Sequence, residues 1–307
     1  MDAVERIHSL RRRSDGRLTT LSARTEQLFP GKFFIGTVLD TLDTKTRMSG
    51  DLLRVYLQRA AMAGVMIGVF YATNYAVIAA FASIDLGTST LAPIGHIMGA
   101  IAFGFALAFI YFTKSELLTS NMMIVSVGAY YHRVGWGKAM RLLVFCYLGN
   151  LIGGVFIALL FRASTVVSGD VLAEMEHSVD VKLGYITDGL AGWGDLFVRA
   201  ILCNFMINLA MLMVYNGFIK EGGTKIVIMV VAVFIFAFLG FEHSVANTVL
   251  FSIVGMHDAV PFLPAVANIG VALVGNFIGG GLLIGLYYAY VNDEARALRK
   301  HPELAEE

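Results

Sequence analysis

Five stretches free of Asp, Glu, Lys and Arg punctuate the chain: Ala60 to Ala82, Leu91 to Thr113, Leu142 to Phe161, Ala200 to Phe218, and Phe262 to Val291. Each is about long enough to cross the hydrocarbon of a bilayer as a helix. Shorter apolar pieces, Asn121 to Tyr131, Ile226 to Phe241 and Ser244 to Met256, border charged residues and read as parts of broken helices. Joining these pieces predicts six transmembrane elements, near 57–83, 93–131, 137–162, 192–218, 224–256 and 262–291, with the second and fifth interrupted. An even number of spans leaves both termini on one side.

The connections set the orientation. Ile84 to Thr90 and His257 to Val260 carry no Lys or Arg, whereas Arg133, Lys138 and Arg141, then Lys220 and Lys225, mark the alternate connections. The positive-inside rule places both termini in the cytoplasm of a multi-pass protein of the inner membrane. Residues 1–56 then form a cytoplasmic N-terminal arm with arginines at 11, 12, 13 and 17. The arm is either an interfacial helix or a gating plug. Residues 57–292 form the membrane domain and 293–307 a cytoplasmic tail. Ser164 to Asp195 is a long, acidic outside connection whose only Lys or Arg is Lys182.

Composition sharpens the picture. Of 307 residues, 57% are hydrophobic and 15% charged, too little charge to coat a soluble body of this size. The formal net charge is zero, so no basic excess points to nucleic acid. Cys146 and Cys203 both lie in apolar runs, which supplies neither a disulfide framework nor a metal-ligand set. No HExxH, GxSxG or phosphate-cradling loop supports an enzyme, and no cofactor is expected.

The chain also repeats itself. GNLIGG at Gly149 to Gly154 returns as GNFIGG at Gly275 to Gly280, an offset of 126 residues. At the same offset, Glu116 and Asn121 pair with Glu242 and Asn247, each a Glu followed five residues later by Asn at a helix break. Three spans per repeat force the halves to insert with opposite orientation, so the fold class is an all-α membrane protein of two inverted three-helix repeats. The glycines suit close helix approach where lipid supplies no hydrophobic drive.

Ionisable residues within spans are costly and stand as functional candidates. His243, at the fifth-span break, is either a proton-exchanging group on an aqueous path or a hydrogen-bonded packing residue. Glu116, Asn121, Glu242 and Asn247 are expected to stabilise the breaks, the carboxylates by accepting from backbone N–H groups that the interruptions leave unpaired. Thr119 offers a hydroxyl to a solute or to His243, or caps its turn. Asn204 and Asn208, four apart, share one helix face and should point inward.

The segments KSELLTSN, ILCNFMINLAML, GFEHSVANT and NFIGGGLLIGLYY closely resemble the formate/nitrite transporter family across about residues 50–292. The resemblance implies an aquaporin-like fold assembled as a homopentamer, with a pore for small monovalent acids in each subunit. It implies that His243 is the central pore histidine, Thr119 the threonine of the second-span loop, and Asn204 its polar neighbour. Phe103, Leu107 and Phe236 resemble the periplasmic-side constriction, and Leu117, Leu118 and Ile207 the cytoplasmic one. The implied mechanism protonates formate, nitrite or a related anion as it enters the apolar pore, since moving a bare charge there costs several kcal/mol.

Three positions depart from the family pattern. The outer vestibule lysine is expected sixteen residues before Asn204, where Asp188 stands. Asn208 replaces an apolar residue or Cys, and Lys114 a small residue. Because a carboxylate attracts cations, Asp188 opens an alternative in which the same scaffold conducts ammonium or ammonia. A water or glycerol channel is excluded because neither break contains Asn-Pro-Ala.

Overall fold

The structure, a computed structural model, describes residues 27–302 apart from residue 88. In chain order the helices are α1 Lys32–Asp51, α2 Leu53–Ala82, α3 Ala92–Phe112, α4 Leu118–Tyr130, α5 Trp136–Arg162 and α6 Asp170–Thr187. There follow α7 Gly189–Tyr215, α8 Gly222–Phe238, α9 Ser244–Gly255 and α10 Phe262–Asn276. A π-helical stretch, Phe277–Leu286, continues α10 into α11 Tyr287–Val291, and α12 Glu294–Lys300 closes the described chain. The arginines at 11, 12, 13 and 17 lie outside the described residues.

Five of these stretches are long and apolar enough to cross a membrane: α2, α3, α5, α7 and Phe262–Val291. Large apolar side chains, Phe109, Phe156, Leu160 and Val274 among them, are exposed on these helices, as a lipid solvent favours. By contrast α1 and α6 are amphipathic. Phe34, Val38 and Leu42 of α1 are buried at helical spacing, and so are Met175, Val179 and Leu183 of α6.

The glycine motifs place backbones in contact. A Cβ on Gly149 would meet Ala60, and one on Gly153 would meet the carbonyl oxygen of Ala61, so α5 lies directly on α2. Gly275 faces Ala200 and Gly279 faces the Ile201 carbonyl in the same way, so α10 and its π-helical extension lie on α7.

The breaks between α3 and α4 and between α8 and α9 share one geometry. Ser115 N–H donates to the Ile110 carbonyl at 3.0 Å, and Phe241 N–H to the Phe236 carbonyl at 2.9 Å. Each is the closing bond of a helix terminator whose preceding residue takes a left-handed backbone. That residue is Gly240 (φ 66°) in one break and Lys114 (φ 57°) in the other. Lysine tolerates this conformation poorly, at a cost of about 1–2 kcal/mol.

Within its described part, the polar arm expected over 1–56 packs as α1 against the rest of the molecule. Leu42 fills the space over Gly128 of α4, and Lys45 pairs with Glu116 at the first break. The chain end is tied to the same helix, since the Asn292 side chain accepts from Gly31 N–H at 2.7 Å and Lys32 pairs with Glu294.

Candidate functional site

The two breaks meet at the centre of the molecule. His243 is the N-cap of α9, and its Nδ1 accepts from Ala246 N–H at 3.0 Å. An Nδ1 that accepts cannot carry a proton, so the neutral ring holds its hydrogen on Nε2. Nε2 lies 3.1 Å from Thr119 Oγ1, joining the two interrupted segments through the pair singled out from sequence. A positively charged ring would have to give up its cap on α9, because both nitrogens would then donate.

Asn204 and Asn208 are buried on the inward face of α7 and together hold the turn that carries Thr119. Asn204 Nδ2 donates to the Thr119 carbonyl at 3.1 Å and to the Asn276 carbonyl at 2.7 Å. Asn208 Nδ2 lies 3.2 Å from the Thr119 carbonyl and 2.8 Å from Asn204 Oδ1.

Three cavities share walls along this centre. One of about 710 Å³ opens on the α1 side and includes Lys45, Lys114, Glu116, Leu107, Ile110 and Leu117 in its lining. One of about 570 Å³ opens on the α6 side and includes Lys182, Glu242, Phe103, Phe236 and His243. Between them lies a chamber of about 20 Å³, lined by apolar side chains and His243. It shares Leu107, Ile110 and Leu117 with the first cavity, and Phe103, Phe236, His243 and Ala246 with the second. Phe103 and Phe236 meet edge to face at 6.0 Å, and Phe236 stacks on the His243 ring at 6.1 Å. Leu107 lines the chamber together with Phe103 and Phe236, and also borders the α1-side cavity with Leu117. Ile207 lines the chamber, while Leu118 is buried and lines none of the three cavities.

The break carboxylates find lysine and asparagine instead of backbone. Glu242 accepts from Lys182 Nζ at 2.8 and 2.9 Å and from Asn247 Nδ2 at 2.6 Å. In the other half Glu116 pairs with Lys45 and accepts from Asn121 Nδ2 at 3.1 Å. The backbone groups that were expected to occupy them are satisfied by Asn150 and Asn276. Asn150 Oδ1 accepts from Leu118 N–H at 3.1 Å, and its Nδ2 donates to the Ala60 and Glu116 carbonyls, both at 2.8 Å. Asn276 Oδ1 accepts from Ser244 N–H at 2.9 Å, and its Nδ2 donates to the Ala200 and Glu242 carbonyls at 2.8 and 2.9 Å. These residues are the Asn of GNLIGG and GNFIGG, so the 126-residue echo carried a signal for them that reading the motifs as glycine stripes missed.

Of the two residues that bear on the vestibule-lysine position, Asp188 and Lys182 six residues before it, Lys182 lines the α6-side cavity. Its ammonium reaches the α6-side cavity from α6, whereas Asp188 is exposed between α6 and α7 and lies outside that lining. Burial disfavours the Lys182 ammonium, but the adjoining Glu242 carboxylate, together with Tyr75 and Tyr185, outweighs this and holds the lysine pKa above its ordinary value. A sixteen-residue count crosses the junction between α6 and α7, whereas the buried ion pair is set by which face of α6 meets the break.

The family pattern described as "Formate/nitrite transporter" matches residues 34–290. The chain belongs to the formate/nitrite transporter family. The nitrite transporter NirC of Escherichia coli K12 is 30% identical over 241 residues, covering 77% of this chain and 83% of the relative. A solved structure titled "FNT family ion channel" superposes with a TM-score of 0.72 at 26% identity, over 84% of this chain and 98% of the other. A second, titled "Pentameric formate channel with formate bound", has a TM-score of 0.63 at 19% identity, over 78% and 98%. As a member of this transporter family, the chain places its interrupted helices around two wide vestibules and one narrow chamber.

Proposed function

We propose that this family member is a channel of the inner membrane for small weak-acid anions such as formate and nitrite, with both termini and α1 on the cytoplasmic side. In this reading the two broken segments complete six spans in two inverted repeats, and five copies assemble as in the formate channel named above. The observation that carries the reading is the chamber of about 20 Å³ between two vestibules, apolar but for His243. A bare anion placed there loses its hydration without a compensating charge, so the solute crosses as the neutral acid. His243 Nε2–H and the Thr119 hydroxyl offer it hydrogen bonds, and Lys45 and Lys182 mark the two approaches.

Nitrite or formate flux into proteoliposomes is expected to rise as pH falls. Asparagine can still cap α9 but is too short to span to Thr119. His243→Asn is therefore expected to lower flux about tenfold or more while leaving the midpoint of the pH profile in place. A displaced or flattened profile would move the proton onto the imidazole and assign His243 the relay role.

The ammonium alternative loses its support with Asp188 outside the vestibule. Asp188→Asn is expected to keep anion flux within about twofold of wild type, as for an exposed residue away from the path. Ammonium flux that disappears on this substitution would restore the alternative.

A further inference from the structure

The two vestibules differ sharply in charge. The α6-side lining holds Lys182 against Glu174 and Glu242, with His96 and His177 beside them. The α1-side lining holds Lys45, Arg59, Lys114, Lys220 and Lys225 against Glu116 alone, and Glu116 is already paired with Lys45. Among the described residues, Lys114, Lys220 and Lys225 have no ion pair, and only the Lys114 ammonium has a side-chain contact, 5.0 Å above the Tyr111 ring. Topology accounts for basic residues on this face of a membrane protein. It does not account for their convergence on one cavity from α1, α2, the first break, the approach to α8 and the first turn of α8 itself.

Lys114 carries a second observation. It occupies the left-handed position of the first break, where Gly240 stands in the matching break. Retaining lysine at a backbone position that suits glycine points to use of its ammonium.

We propose that the α1-side vestibule is a binding site for a soluble phosphate-bearing anion of two or more negative charges, held by Lys114, Lys220 and Lys225, which blocks the pore. The cavity of about 710 Å³ is roomy enough for such a solute, whereas the neighbouring chamber of about 20 Å³ is not. A monovalent anion meets one or two of these lysines and leaves, as conduction requires. A polyanion bridges several, gaining a charge-assisted bond at each, and remains. The binding rests on the cavity alone; the block rests also on the transport reading above.

Inorganic pyrophosphate is the probe. Calorimetric titration into the purified protein is expected to show binding that weakens with ionic strength, exceeds chloride binding, and falls about tenfold or more in Lys114→Gln/Lys220→Gln/Lys225→Gln. The unfolding temperature of each variant reports whether the fold is retained. In phosphatidylcholine bilayers, pyrophosphate is expected to reduce formate conductance from one face only. Absent binding, binding unchanged in a folded triple variant, or block that is equal from both faces overturns the proposal. So does loss of the pyrophosphate effect in bilayers containing phosphatidylserine, which would assign the site to a lipid headgroup. A wild type that conducts no formate overturns the transport reading instead, and the titration still decides this one.

Discussion

Lys182→Met is expected to destabilise the protein by about 3–5 kcal/mol, because it leaves the Glu242 carboxylate buried with its charge unpaired. The two side chains are 8% and 4% exposed, so water cannot take over the role of the lost partner. Asn247 would still donate to Glu242, but a single neutral amide does not balance a carboxylate. The double variant Lys182→Met/Glu242→Gln removes both charges and is expected to recover most of the stability, since an uncharged pair of similar shape has no ion to desolvate. Thermal unfolding of the purified protein checks both. Flux separates structure from function: under the proposed transport reading, the double variant is expected to be folded yet slower, because its α6-side cavity no longer presents a cation. A single variant as stable as wild type would show that Glu242 is solvated or protonated in the folded protein.

Asn276→Ala is expected to be comparably severe. The side chain satisfies the N–H of Ser244 and the carbonyls of Ala200 and Glu242, all buried where the helix is interrupted. Alanine leaves the Ser244 N–H and the Glu242 carbonyl without partners, at roughly 1–3 kcal/mol for each, while Ala200 keeps its bond within α7. Asn276→Asp keeps an acceptor for Ser244 but turns carboxylate oxygen toward two carbonyls, and is expected to be no better. Asn150→Ala should show a loss of similar size, because the Leu118 N–H and the Glu116 carbonyl depend on Asn150 in the same pattern. Unfolding temperatures within about 2 °C of wild type for either variant would mean that water supplies the missing bonds.

Much of this was legible along the chain. Hydropathy marked the five long membrane helices and both interruptions, because a chain in lipid must hide every backbone polar group and must announce each exception. The shared offset brought Glu116, Asn121, Glu242 and Asn247 into correspondence, and the structure draws their side chains into matching networks. A bond from Thr119 to His243 was one of the readings open at the first break, beside a solute contact or a turn cap, and that bond lies where the two breaks converge.

Other features depended on distance in sequence. Glu242 takes its lysine from 60 residues away in α6, and Glu116 takes its lysine from 71 residues away in α1. No local pattern distinguishes Lys182 or Lys45 from a solvated lysine on an amphipathic helix; only the packing of that helix over a break makes the ammonium a buried partner. Family spacing pointed to Asp188 for the same reason, since counting residues cannot say which side of a junction faces the cavity. The sequence by itself thus determined the solvent of this protein, its five long apolar helices, its breaks and the residues at them. The tertiary structure alone decided which distant charges neutralise those breaks, which leucines border which vestibule, and where basic side chains remain unpaired, because burial and ion pairing are properties of surfaces brought together in space.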